Sequence, residues 1–177
     1  YLNGQYVPED EARISVLDRG FLFGDGVYEV IPVYGGRPLR LAEHLQRLEH
    51  SLEQVRIHNP LSRAQWEEIF TVLLERNPGG DRYIYLQVTR GVARRDHAFP
   101  EGVVPTVFMM VNAIVPPAPE LLESGVAAVV LTDERWSRCD IKAIALLPNV
   151  LARQHAVETG ATEAILVRNG LAVEGAA

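Results

Sequence analysis

The residue type best able to do covalent chemistry occurs once in this chain. Of 17 basic residues, all but one are arginine, and the exception is Lys142. A high-GC genome explains an arginine bias but not the lysine that survives it, inside the apolar run Ile141-Lys-Ala-Ile-Ala-Leu-Leu147. A lysine amine has an ordinary pKa near ~10.4 and is a poor nucleophile at neutral pH. Apolar burial lowers that value and frees the lone pair. Asp140 and the nearby arginines push in opposing directions. The alternative is a lysine whose stem lies on apolar surface while its head reaches water. The residue and its neighbours leave both readings open.

A second constellation suits an anion. Arg95 and His97 flank Asp96, so in an extended loop their side chains point the same way. Together they can bind a carboxylate through charge-assisted hydrogen bonds. The bland reading of Arg94-Arg95 is a solvated basic loop, and a net charge of −6 argues against a nucleic-acid surface. Arg47, on the flank of a helical stripe beside Leu48, reads by itself as an exposed arginine pairing with Glu43 one turn away. Glu174, before Gly175, reads by itself as a surface turn residue. Cys139 reads as a small buried thiol. Gly24-Asp-Gly26 lacks the strand-to-helix fingerprint of a nucleotide loop. His44, His50, His58 and His155 show no metal-ligand grouping.

The elements that must position these groups follow from periodicity. Tyr1 to Val7 and Ala12 to Leu17 alternate as short strands, and Asp18 to Gly26 is a glycine-punctuated loop. Val27 to Tyr34 is β-rich and ends at Gly35-Gly36, a hairpin signal, with Leu39 to Leu41 returning. Leu41, Leu45, Leu48, Leu52 and Val55 follow helical spacing. Ser62 caps a second helix with a stripe of Trp66, Ile69, Phe70, Leu73 and Leu74. Tyr83 to Thr89 and Thr106 to Val111 read as strands, the latter apolar enough to be central. Three prolines at 116, 117 and 119 mark a linker. Beyond it come a buried strand over 126–131, a helix opened by Pro148 and closed by Gly160, and a hairpin at Asn169-Gly170. The fold class expected is α+β in two domains, 1–115 and 121–177 about a 116–120 linker. The chain stops a few residues into its last strand, so the second domain is expected to be truncated here.

Composition bounds the rest. Apolar residues at 47% and charged ones at 23% are ordinary for a soluble globular protein. No apolar run approaches the ~20 residues of a membrane span, and the N-terminus is not a signal peptide. One cysteine excludes an internal disulfide framework and fits a reducing cytoplasm.

Several long segments in order carry a resemblance. Arg138-Cys-Asp-Ile-Lys142, with Leu146-Leu147 and Val150-Leu-Ala152, closely resembles the lysine segment of D-amino-acid aminotransferases, in the fold-type-IV pyridoxal-phosphate family. Asp18 to Val30 is similar to the family's N-terminal signature. Glu43-His44 through Arg47-Leu48 resembles its helix motif, and Val88 to Phe99 the substrate-loop motif of the D-amino-acid branch. Val173-Glu-Gly-Ala-Ala177 resembles the family's Thr-Glu-Gly-small-small segment, with valine in place of threonine.

The resemblance implies a two-domain fold-type-IV architecture with pyridoxal 5'-phosphate as cofactor. It implies that Lys142 binds the cofactor covalently and moves the proton during transamination. It places Arg47 on the cofactor phosphate and Glu174 beside the ring nitrogen, where a carboxylate favours the protonated form. It assigns Tyr28, Arg95 and His97 to the substrate α-carboxylate, on a loop that reaches the neighbouring subunit's site in a homodimer. The implied reaction exchanges an amino group between a D-amino acid such as D-alanine and a 2-oxo acid such as 2-oxoglutarate. Branched-chain aminotransferases, R-selective amine transaminases and aminodeoxychorismate lyase share the fold. The rival from another class is a non-catalytic fragment or binding module.

Overall fold

The computed structural model describes residues 1–177, which form two compact units: Tyr1–Ile114 with Asp140–Ala145, and Val115–Cys139 with Leu146–Ala177. The lysine segment, which follows the proline-rich stretch in sequence, thus packs into the first unit.

The first unit is a four-stranded antiparallel sheet with two long helices. Its elements are α1 (Arg19–Phe23), β1 (Gly26–Tyr34), β2 (Arg37–Pro38), α2 (Leu41–Gln54), α3 (Arg63–Arg76), β3 (Arg82–Thr89) and β4 (Thr106–Ala113). The strand order is β2-β1-β3-β4. β1 and β3 pair from Gly26↔Thr89 to Val33↔Arg82, so Val27 faces Val88 and Ile31 faces Ile84. Side chains alternate along a strand, and one face of this sheet is apolar. Val27, Ile31, Val33, Ile84, Leu86 and Val88 are buried there with Leu45, Leu48 and Leu52 of α2 and Trp66, Phe70 and Leu73 of α3. Each such side chain contributes roughly 1.5–3 kcal/mol through burial. The Ser62 hydroxyl accepts the Gln65 N–H while the Gln65 side chain accepts the Ser62 N–H, a reciprocal cap that starts α3 where the sequence places it.

Five expectations of this unit need correction. Tyr1 to Val7 forms isolated bridges instead of a strand: Leu2 bridges Gln5 and Phe108, and Tyr1 and Met109 exchange backbone hydrogen bonds. That segment lines the outer edge of β4, which is an edge strand and not a central one. Residues 12–17 find no ladder partner, and Val16 and Leu17 are exposed, because alternation alone cannot make a strand without a neighbour. The returning strand of the first hairpin is two residues long, at 37–38. The loop at 18–26 contains α1, where the Asp18 side chain caps by accepting the Gly20 N–H and Gly24 closes in the left-handed region at φ 67°.

The second unit comprises α4 (Pro119–Ser124), β5 (Ala128–Thr132), α5 (Leu147–Glu158), β6 (Glu163–Arg168) and β7 (Leu171–Gly175). β5 and β6 are parallel, and β6 and β7 form an antiparallel hairpin. The turn places Asn169 at φ 52° and Gly170 at φ 79°, as the Asn-Gly pair requires. Pro119, read as linker, begins a short helix, where a missing N–H costs nothing. β5, expected to be buried, alternates between exposed and half-buried residues. The core is small, built on Ala156, Ala164 and Ala176. No helix of either unit is long and apolar enough to cross a membrane.

Candidate active site

In the first unit Lys142 is fixed by its own backbone. Residues 142–144 lie along the edge of β1 that β3 leaves free. The Tyr28 N–H donates to the Lys142 carbonyl at 3.0 Å, and the Ile144 N–H donates to the Gly26 carbonyl at 3.1 Å. The Lys142 N–H donates to the buried Ser51 hydroxyl on α2 at 3.2 Å. Ile141, in the core, anchors the segment. This close passage explains Gly26: a Cβ there would meet the Val88 carbonyl at 2.7 Å and the Ile144 side chain at 3.0 Å.

The lysine amine lies 4.1 Å from the centroid of the Tyr28 ring. Lys142 is half-buried, and no carboxylate pairs with its amine. Asp140, two residues away, faces His50 at 3.5 Å. The outcome is intermediate between the two readings of the sequence: the amine is neither sealed in the core nor carried to open water, but held against an aromatic face. Tyr28 stacks on Tyr85 at 5.9 Å. Burial, and then Tyr28, push the Tyr85 phenol above its ordinary value, so it stays protonated and donates to the Gln87 side chain at 2.7 Å.

Next to Tyr28 in sequence, and on the opposite face of β1, stands Glu29, only 1% exposed. It receives Arg47 bidentately, Nε to Oε1 at 2.6 Å and Nη2 to Oε2 at 2.7 Å, and His44 Nδ1 lies 2.8 Å from Oε2. Arg47 therefore does not pair with Glu43, which takes Arg40 instead. The hydrogen bonds it donates to Glu29 hold the guanidinium charged, above its ordinary value. They fix its plane and leave Nη1 without a protein partner on a half-exposed side chain, a geometry able to take a phosphate oxygen. Sequence reading gave neither Glu29 nor His44 this role. A carboxylate at a core-facing position between Val27 and Ile31 was the available signal, since buried charges require partners.

Arg95 and His97 are exposed and gather around another ring. Phe23 has the Arg95 guanidinium 5.2 Å from its centroid and the His97 ring 5.4 Å away. No hydrogen bond or ring contact joins either residue to Tyr28 or Lys142. Beneath them lie buried groups the sequence did not single out. The Asp18 carboxylate accepts from the Thr89 and Thr106 hydroxyls at 3.0 and 2.7 Å. Asp25 accepts from Arg19 and Arg90. Burial acts first to raise the Asp25 carboxyl, but the hydrogen bonds from Arg90 and then Arg19 outweigh it and leave it below its ordinary value.

In the second unit Glu174, on β7, is 57% exposed and ion-paired with Arg135. Arg135 also forks onto the buried Asp133, at 2.9 and 3.1 Å, and Arg168 joins the same carboxylate at 2.9 Å. The Arg135 hydrogen bond is the main reason that Asp133 sits below the usual carboxylate range. Cys139 is exposed, not buried, with its thiol donating to the Trp136 carbonyl at 3.2 Å.

The family described as amino-transferase class IV matches residues 26–177. A D-alanine aminotransferase of Staphylococcus epidermidis is 40% identical over 176 residues, which are 99% of this chain and 62% of the relative. The chain thus spans less than two thirds of the length of that protein. A fold IV-transaminase from Curtobacterium pusillum superposes with a TM-score of 0.79 at 26% identity, covering 96% of this chain and 60% of that one. A branched-chain amino acid aminotransferase of Escherichia coli superposes with a TM-score of 0.87 at 25% identity, covering 99% of this chain and 61% of that one.

Proposed function

Since the chain belongs to the class IV aminotransferases, we propose that it carries the lysine and most of the substrate-binding groups of a pyridoxal-phosphate enzyme exchanging an amino group between a D-amino acid, such as D-alanine, and a 2-oxo acid, such as 2-oxoglutarate. The observation that carries this reading is the Lys142 amine, without a carboxylate partner, set on the Tyr28 ring. A lysine tied into an ion pair would be unavailable to an aldehyde; this one is not.

The residues fit the cofactor. Pyridoxal phosphate, when bound, supplies an electron sink for the bond electrons at the substrate Cα. Lys142 Nζ would hold its aldehyde carbon and, once released, carry the proton removed from Cα, both tasks suiting a positioned amine. Arg47, oriented by Glu29, would hold the phosphate through its unpartnered Nη1 edge. Glu174 would keep a proton on the ring nitrogen, as a neighbouring carboxylate favours the cationic form. Tyr28, Arg95 and His97 would take the α-carboxylate.

Arg95 and His97 make no contact with Tyr28 in one chain, which supports a homodimer in which this loop serves a second copy's site. The single cysteine fits a cytoplasmic setting. The D-specific reading draws on the 40% identity to a D-alanine aminotransferase. The test is a panel of D-alanine, L-leucine, (R)-phenylethylamine and aminodeoxychorismate with purified protein. Turnover of D-alanine with 2-oxoglutarate, lost in Lys142→Ala, is expected. Turnover of L-leucine alone would move the protein to the branched-chain group.

A further inference from the structure

Arg19 occupies an unusual place for an arginine. It is 3% exposed and opens a helix of only five residues. Its guanidinium donates from Nε to Asp25 at 2.7 Å, and it lies 4.9 Å from the centroid of Phe23, the ring around which Arg95 and His97 gather. Its remaining nitrogens point at the backbone of that same loop. Nη1 donates to the Asp96 carbonyl at 2.5 Å and the Ala98 carbonyl at 3.4 Å, and Nη2 to the His97 carbonyl at 3.5 Å.

The count of donors explains why the loop accepts this. Asp25 receives two guanidinium groups, from Arg19 and from Arg90, and the buried Asp18 carboxylate is taken up by Thr89 and Thr106, so the remaining guanidinium N–H groups need other acceptors. Buried donors require partners, and backbone carbonyls supply them. Arg90 donates to the Val55 and Arg56 carbonyls just past α2 and lies 3.7 Å from the centroid of Phe99. Arg19 takes the carbonyls of 96–98. The loop adds a turn of its own, with the Ala98 N–H donating to the Asp96 side chain at 3.1 Å.

We propose that Arg19 is a positioning residue that clamps the backbone between Arg95 and His97 and so presents both side chains to the substrate carboxylate; in this it rests on the function proposed above. Residues 94–99 form no helix or strand; Phe23 meets the Arg95 and His97 side chains and Arg90 meets the Phe99 ring, while Arg19 is the group that holds the backbone between them. A loop fixed before the substrate arrives spares binding the cost of ordering it. The planar fork matters as much as the charge, because one ammonium group cannot reach Asp25 and three carbonyls together.

Arg19→Lys and Arg19→Gln in the holoenzyme test this, with Asp96→Ala loosening the loop from its own side. The expected result is amide exchange at 96–99 faster by on the order of tenfold, and a KM for D-alanine raised by about tenfold with kcat changed by less than about threefold. Arg19→Lys keeps a cation on Asp25, so it serves where Arg19→Gln fails to fold. Unchanged exchange at 96–99 in folded Arg19→Lys overturns the proposal, as does a fall in kcat at constant KM. If the wild type ignores D-amino acids, the function proposed above fails, and the exchange measurement still decides whether Arg19 holds the loop.

Discussion

The two units hold their charged groups in opposite ways. In the first, which has a large apolar core, the Glu29 and Asp25 carboxylates fix arginines: Glu29 orients the half-exposed Arg47, and Asp25 orients the buried Arg19 and Arg90. In the second, the core cluster is three small alanines, Leu166 is the only large apolar side chain fully covered, and Leu147, Leu151, Val130 and Leu171 are exposed. Its one buried carboxylate, Asp133, orients Arg135, whose other partner, Glu174, stands at the surface. The lesson is that rigidity comes from what lies under a site. Lys142 gains its fixed place from Ile141 and β1, while Glu174, itself exposed, depends on one ion pair with Arg135 and a short hairpin.

The comparison is broken most strongly by a hole in the larger core. Leu48→Ala should cost about 2–5 kcal/mol, read as a lower denaturant midpoint. A loss below ~1 kcal/mol would mean that the first unit is not built on this layer. Glu29→Gln should come next, at about 1–3 kcal/mol, because it leaves Arg47 and His44 facing a neutral amide. It should also free the Arg47 side chain and weaken cofactor retention, measured by dialysis.

Acid should act on both units. Asp25 and Asp133 have folded values below their ordinary ones. Their contribution is therefore complete above the unfolded carboxylate value near ~3.9 and is lost as pH falls through the lower folded values. Stability should fall below about pH 4, and Asp25→Asn should flatten that fall. The smallest effect on folding is expected from Glu174→Gln, under about 1 kcal/mol for so exposed a carboxylate, since Arg135 keeps Asp133 as a partner, although turnover should drop. A large loss of stability there would show that the second unit leans on this ion pair more than its exposure suggests.

Much of this arrangement was legible in the sequence, for a physical reason. α2 and α3 bury strong apolar stripes, and the Ser62 and Asn169-Gly170 signals are local, so pattern and structure agree. The misses are non-local. β4 reads as central because it is apolar, but its outer neighbour is the N-terminal segment and not a strand. Residues 12–17 alternate without any ladder to join. The Asp18 hydroxyl partners lie 71 and 88 residues away, and Arg19 reaches 77 residues to the Asp96 carbonyl. No window of sequence shows such pairs. Lys142 stood out only because it has no rival in the chain.

That uniqueness makes the central claim directly measurable. Purified protein loaded with pyridoxal phosphate, reduced with borohydride, digested and weighed by mass spectrometry should carry the phosphopyridoxyl group on the peptide containing Lys142, and on no other peptide of residues 1–177. Efficient transamination by protein whose Lys142 remains unlabelled would contradict the account.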